Sequence, residues 1–261
     1  MANKAVLEAR TTKGLFSGLN NLLNSEFSRW RTKDWYITAG IWTVIINAGL
    51  LSMLSYADTG IEEGLFMLGL MFGMFPMINV VIHMQDEIIS HRESGTIAWL
   101  LSKPVSRSSF VLSKVIGNFI GFSVSIAIIP GTVTYLLIFI FKGVLLSPIQ
   151  YSLGILLIAV YQLFYLTLTL MLGTMFKQRG GVIGIPLALG LGYNFLGFIP
   201  YIDLIHPMGM FFPSQDGLPL FGNLVLGNHL ALESFIPFII MVAMILIFIG
   251  VAFWKFNEEE F

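Results

Sequence analysis

Long apolar stretches alternate with short basic segments along this chain, and the basic segments all fall on the same side of an implied membrane. A helix needs about 20 apolar residues to cross roughly 30 Å of hydrocarbon. Six stretches meet that length: Tyr36–Ala57, Leu65–Met84, Phe110–Phe141, Ile149–Phe176, Val182–Ile202 and Phe235–Trp254. Lys4, Arg10, Lys13, Arg29, Arg31 and Lys33 precede the first. Arg92, Lys103, Arg107 and Lys114 lie around the loop between the second and third. Lys177 and Arg179 separate the fourth and fifth, and Lys255 follows the sixth. Of fourteen Lys and Arg, only Lys142 is left for the other side. Basic residues near spans stay cytoplasmic, so an even number of spans puts both ends inside.

Composition agrees. The chain is 56% hydrophobic and 11% charged, where a soluble domain carries about 25% charged residues. The net charge of −1 gives no sign of a nucleic-acid partner; the bilayer is the expected environment. The chain has no Cys, which excludes disulfides, thiolate metal sites and Cys nucleophiles. The first 35 residues hold no continuous apolar core of the signal-peptide kind, so the first span is expected to direct its own insertion. The expected fold class is therefore all-α: a polytopic membrane protein of six spans preceded by an amphipathic interfacial helix. Its parts are a cytoplasmic segment 1–35, a transmembrane domain 36–254 and a cytoplasmic tail 255–261.

The interfacial helix is read from Leu15, Phe16, Leu19, Leu22, Leu23, Phe27 and Trp30, which share one helical arc opposite Asn20, Asn21, Asn24, Ser28 and Arg31. Such a helix lies in the interface plane, with Trp30, Trp35 and Tyr36 at headgroup level. It is either a topological anchor or a lever against a cytoplasmic partner. Glu26 projects into the apolar arc. A carboxylate there needs water or a partner; Arg92, Arg107 and Lys114 are candidates, and snorkelling to the interface is the simpler alternative.

The loop between spans two and three is the most informative local stretch. Span two is expected to continue as helix through about Arg92, with Gly95 breaking it. A second short helix around Thr96–Leu101 carries Ile97, Trp99, Leu100 and Leu101. Pro104 disfavours helix at Lys103, and Ser106, Ser108 or Ser109 can cap span three. A loop that only reversed the chain needs no Trp99. Apolar anchors flanked by charge suit a docking surface; the plainer reading lays them on the bilayer.

These residues carry a resemblance. The run Glu93-Ser-Gly-Thr96, then Leu100-Leu101-Ser-Lys-Pro-Val-Ser-Arg107 and Ser113-Lys114-Val-Ile-Gly117, resembles the type-2 permeases of ATP-binding-cassette exporters. Glu26…Trp30-Arg-Thr-Lys-Asp-Trp35 is similar to that family's N-terminal connecting helix. The resemblance implies a half-channel paired with a second permease copy or a paralogue, above two separate ATPase subunits. It implies that Glu87, His91, Arg92, Glu93, Gly95 and Thr96, with the docking candidate Trp99, lie in or beside the element that couples to the ATPase. The outer loop matches no substrate subgroup.

The chain has no Gly-x-x-x-x-Gly-Lys-Ser/Thr, so it is expected to bind no ATP. ATP and Mg belong on the partner, and this chain is expected to hold no cofactor and to be no enzyme. His83, Glu87 and His91 recur every four residues, but the spacing is not His-Glu-x-x-His; a polar helix end with Glu87–His91 pairing is the simpler account. Gly-x-Ser-x-Gly is also absent. A self-standing secondary transporter or channel is the main rival. Such proteins place ionisable groups in mid-membrane, whereas these spans offer amides and hydroxyls: Asn47, Asn79, Gln162 and Asn194, with Thr132, Thr134, Thr167 and Thr169. Asn47, Asn79 and Asn194 are candidates for a translocation path; helix–helix hydrogen bonding is the alternative. Pro76 and Pro130 are expected to kink their spans. Gly69 and Gly73 permit a close helix contact. Gly184, Pro186, Gly190, Gly192 and Gly197 make span five pliable or tightly packed, and the resemblance puts it at a dimer seam. The outer segment Asp203–Ser234, rich in Pro and Gly, is expected to form ordered turns or a short re-entrant element.

Overall fold

The computed structural model describes residues 14, 16–55, 60–96, 105–196, 199, 201–212 and 218–258, apart from the side chains of Asp34, Arg92 and Asn194. All regular structure among them is helical. A short helix α1 (Leu19–Arg29) precedes α2 (Lys33–Leu54) and α3 (Ile61–Glu93). The third expected span is one continuous path of α4 (Arg107–Phe122), a π-helical turn at Ser123–Ile128 and α5 (Ile129–Lys142). Then come α6 (Pro148–Met175), α7 (Arg179–Leu196), α8 (Ile202–Ile205), α9 (Leu220–Leu226) and α10 (Ile236–Glu258).

Five of these paths are long and apolar enough to cross a membrane: Trp35–Leu54, Ile61–His91, Arg107–Lys142, Pro148–Met175 and Leu232–Glu258. The remaining expected span is shorter than its apolar run. α7 is described as helix over 18 residues, about 27 Å at helical rise, and does not run on unbroken to Ile202. Pro200 disfavours helix at the residue before it. Tyr201 then adopts a left-handed conformation, φ 63°, and Ile202 opens the separate helix α8.

α6 is the axis of the bundle. It touches α3, α4, α7, α9 and α10, and its Tyr161 and Tyr165 are fully buried. A tyrosine hydroxyl in an apolar core needs an acceptor; Tyr161 donates to the Gly73 carbonyl at 2.8 Å. The π turn has a local cause. Pro130 has no N–H and cannot continue the α ladder. The N–H of Ile129 reaches back five residues to the Val124 carbonyl, and the wider turn absorbs the mismatch.

Gly69 and Gly73 do allow close approach, but not to a long helix. They face the single helical turn Pro207–Met210 and Phe211. Met208, Met210 and Phe211 are fully buried against them. The outer segment thus folds back into its end of the bundle.

Candidate functional site: a buried charged joint

At the opposite end, where the cations gather, α1, α3 and α4 meet. α1 lies along α4 because α4 is stripped of bulk there: Gly117 faces the Glu26 side chain and Gly121 the Trp30 indole, and neither leaves room for a Cβ. Trp30 is edge-on to Phe122 at 4.9 Å and 5.6 Å from His83. Just before α1, the Ser17 carbonyl accepts from the Ser106 N–H at 3.1 Å. Ser106 also caps α4, its hydroxyl accepting from the Ser109 N–H. The chain entering the joint and the chain leaving the loop are therefore tied together.

The joint itself is a ring of alternating charge. Lys114 Nζ on α4 pairs with Glu26 Oε1 on α1 and with Glu87 Oε2 on α3, each at 2.7 Å. Arg29 closes the ring. Its Nη2 is 2.8 Å from Glu26 Oε2 and its Nη1 pairs with Glu87 Oε1. The same Nη2 donates to Asn118 Oδ1 at 2.7 Å, while Asn118 donates back to the Lys114 carbonyl. An ammonium can only donate, and His91 Nε2, 3.3 Å from Nζ, accepts from it. Glu87 is 3% exposed and Lys114 4%, so both charges are desolvated. Removing one partner of such a set costs about 3–5 kcal/mol, because the other is stranded.

A second cation extends the network. Arg179, at the start of α7, reaches Asp86 Oδ1 and Glu93 Oε2, each at 3.2 Å, and the Ser90 hydroxyl at 3.3 Å. These groups are exposed, and such pairs contribute about 0–1 kcal/mol. Their effect is positional: they tether the turn between α6 and α7 to the last two turns of α3. Arg107 holds the final helix, donating to the Phe256 and Asn257 carbonyls at the end of α10. A cation is favoured at a helix C-terminus.

The residues singled out in the sequence separate into groups. Glu87 and His91 sit in the joint. Glu93 ends α3 and pairs with Arg179, and Gly95 turns left-handed at φ 68° just beyond. The Thr96 and Ser94 hydroxyls share a hydrogen bond of 2.7 Å. Arg92 belongs to α3, but its side chain is outside the described residues, as is Trp99 with the whole stretch 97–104. Glu26 does not snorkel: it is 8% exposed and, of the partners the sequence offered, it takes Lys114. Asn47 is buried and tied to α5, accepting from the Thr134 hydroxyl at 2.8 Å and donating to the Pro130 carbonyl at 3.3 Å. Asn79 lines a cavity beside the joint, and Asn194 lies in α7 with its side chain undescribed.

Sequence reading missed Arg29, Asn118 and Arg179 as structural partners. One signal was present. Gly117 and Gly121 repeat the small-residue spacing that permits close helix contact, directly after Lys114.

The sequence model of the ABC-2 family transporter proteins matches residues 42–261. That is most of the chain, from early in α2 onward. The chain belongs to the ABC-2 transporter family. No individual curated protein gives a significant match. The ABC-2 assignment makes this a membrane permease of the ABC transporter class, and the long apolar helices are the part that crosses the bilayer. In this ABC-2 permease the charged joint sits where the only described helix outside the family match, α1, is fastened to two helices within it.

Proposed function

We propose that this chain is the permease subunit of an ATP-driven exporter, with six spans and both ends cytoplasmic. It works with a second copy or a paralogue above two ATPase subunits, which bind ATP and Mg. Membership of the ABC-2 family is the observation that carries this reading. The count of six adds α7, whose 18 residues match a thin bilayer. The orientation rests on the one-sided distribution of Lys and Arg, and α1, with its apolar arc, lies at the cytoplasmic interface.

The mechanism is mechanical. α3 has 33 residues, about 50 Å of helix, and so projects well beyond roughly 30 Å of hydrocarbon. Its end at Glu93, the Gly95 turn and the Trp99 stretch form the foot that docks on the ATPase. Movement of the foot passes along α3 to Glu87, and through Lys114 and Arg29 to α1 and α4. Through Arg179 it passes to α7. The second permease lies against α7, whose exposed residues Gly180, Gly184, Ala188, Leu191 and Phe195 form one stripe at helical spacing. Asn79 and Asn194, on α3 and α7, border the path for a hydrophobic or amphipathic cargo, and Asn47 shapes it by fixing α2 to α5.

Co-expression with the ATPase and pull-down through a tag on this chain tests the foot. Glu93→Ala and Trp99→Ala are expected to lose the ATPase and ATP-dependent transport in vesicles. Full assembly and transport in both variants would sink the reading. Transport by the purified chain without an ATPase would instead make it a self-standing carrier or channel.

A further inference from the structure

A cavity of about 210 Å³ opens beside the joint, where α1 hands over to α2. Arg29, Trp30, Thr32, Trp35, Asn79 and His83 line it. Three N–H groups of these side chains are buried without an acceptor: Arg29 Nε, Trp30 Nε1 and Trp35 Nε1. Buried donors in native proteins nearly always have a partner, and here three belong to residues that line one cavity. Each is a donor that cannot accept. Among the described side chains no carboxylate lines the cavity; Glu26 and Glu87 are held by the Nη atoms of the guanidinium.

The start of α2 adds to this. Its 22 residues carry no side-chain cap, because the Thr32 hydroxyl turns back to the Arg29 carbonyl at 3.1 Å. The positive end of a helix favours an anion. Arg31 and Lys33, both exposed, flank the opening. The apolar span begins at Trp35, so the cavity sits at the depth where indoles meet headgroups.

We propose that this cavity binds a phosphate-bearing anion, supplied in the membrane by a lipid headgroup of the leaflet on the cation-rich side. Its volume is that of about seven waters, enough for a headgroup and too small for acyl chains. The chains have a path of their own: Ile37, Ile41 and Val44 form an exposed stripe on α2 directly beyond the cavity. A phosphate held by Arg29 Nε would fix the guanidinium that also bridges Glu26 and Glu87. Lipid occupancy would then set the stiffness of the joint. This inference does not depend on the ATPase reading.

The test is fluorine NMR of the full chain, purified in a phosphate-free non-ionic detergent with 5-fluorotryptophan at its five Trp positions. Trp30→Phe and Trp35→Phe assign the two resonances and keep the ring bulk. Dioctanoyl phosphatidylglycerol, dioctanoylglycerol and inorganic phosphate are titrated separately. The expected result is a saturable shift of Trp30 and Trp35 with the phospholipid, none with dioctanoylglycerol, and no saturable shift of Trp254. In W35F, read at Trp30, affinity falls about tenfold, the effect of one lost hydrogen bond to a charged group; W30F, read at Trp35, is the independent check. Saturation by inorganic phosphate as tight as by the phospholipid assigns the site to free phosphate instead. No saturable shift with either phosphate, or equal shifts with dioctanoylglycerol, overturns the proposal.

Discussion

The two ends of this bundle are held by opposite means. At the cation-rich end, α1, α3 and α4 are joined by Glu26, Glu87, Lys114 and Arg29, charges that alternate around a ring. At the other end, Met208 and Phe211 fill the face of α3 that Gly69 and Gly73 leave open. The contacts around that face are apolar, aromatic or neutral hydrogen bonds: Phe211 stands 4.9 Å from the Tyr161 ring, and Tyr161 donates to the Gly73 carbonyl. Apolar packing is non-directional and resists any displacement. An ionic ring is directional, and its energy depends on keeping every member. The first kind of contact makes a plug. The second makes a joint that transmits movement as a unit and fails when one member leaves.

The largest effects should separate the two ends by how damage combines. Lys114→Met strands Glu26 and Glu87 and is expected to lower stability by about 3–5 kcal/mol, read by denaturant unfolding in detergent. Adding Glu26→Gln and Glu87→Gln should return stability to within about 1 kcal/mol of the parent, because replacing buried charges with neutral groups is often tolerated and the one charge left, on Arg29, has a side chain 39% exposed that can reach water. Transport should stay lost, since the link between α1 and α3 is gone. At the outer end, Phe211→Ala is expected to cost about 3–5 kcal/mol through the cavity it leaves. Adding Phe221→Ala, 5.7 Å away, should deepen the loss. If the triple charge variant stays as unstable as Lys114→Met, or the double Phe variant recovers, the contrast between the ends is wrong.

Much of the frame could be read from the chain, because lipid imposes a length and a charge rule on each span. An end of α3 near Arg92, a break at Gly95 and a serine cap among Ser106, Ser108 and Ser109 were also legible, since each depends on its immediate neighbours; the structure puts the end at Glu93 and the cap at Ser106. Glu26 as a problem needing a partner was visible; which partner was not. Lys114 becomes its neighbour only because Gly117 and Gly121 bring α1 onto α4, and that is a property of three elements. The π turn was hidden in the same way: Pro130 signals a disturbance, but whether it becomes a kink or a widened turn depends on the helices around it. Val182–Ile202 misled by composition. Its apolar run continues to Ile202, but Tyr201 is left-handed and Ile202 opens a separate helix.

A smaller effect is expected at the exposed edge of the charged end. Arg179→Gln removes contacts to Asp86 and Glu93 that are open to solvent, so stability should change by less than about 1 kcal/mol. If the contacts serve position, cysteine crosslinking between the 177–179 turn and residue 90 should weaken while the unfolding midpoint barely moves. A large loss of stability would mean that these charges belong to the buried ring and that the division between them is artificial.

The smallest effect belongs to the outer end and should appear as a pH dependence. His206 bridges α7 to the outer segment: its Nε2 donates to the Leu189 carbonyl at 3.0 Å and its Nδ1 accepts from the Met208 N–H at 3.1 Å. That pairing requires the neutral ring. Burial lowers its pKa below 6.5, and the bond to Leu189 only partly opposes this. Well above 6.5 the imidazole is neutral folded or unfolded, and pH has no leverage through it. As pH falls below 6.5 the unfolded chain takes the proton first, so stability is lost progressively down to the lowered folded value. The neighbouring ionisable groups are Tyr193, 4.9 Å away ring to ring, and Asp203, which accepts from the Tyr193 hydroxyl at 2.5 Å. Hydrogen exchange across 203–212, corrected for intrinsic rates, should therefore quicken between about pH 7.5 and about pH 5.5. The Lys114 joint offers a matched control, because its backbone amides in α4 do not depend on this ring. In His206→Gln the step should vanish, and its persistence there would move the proton to some other group.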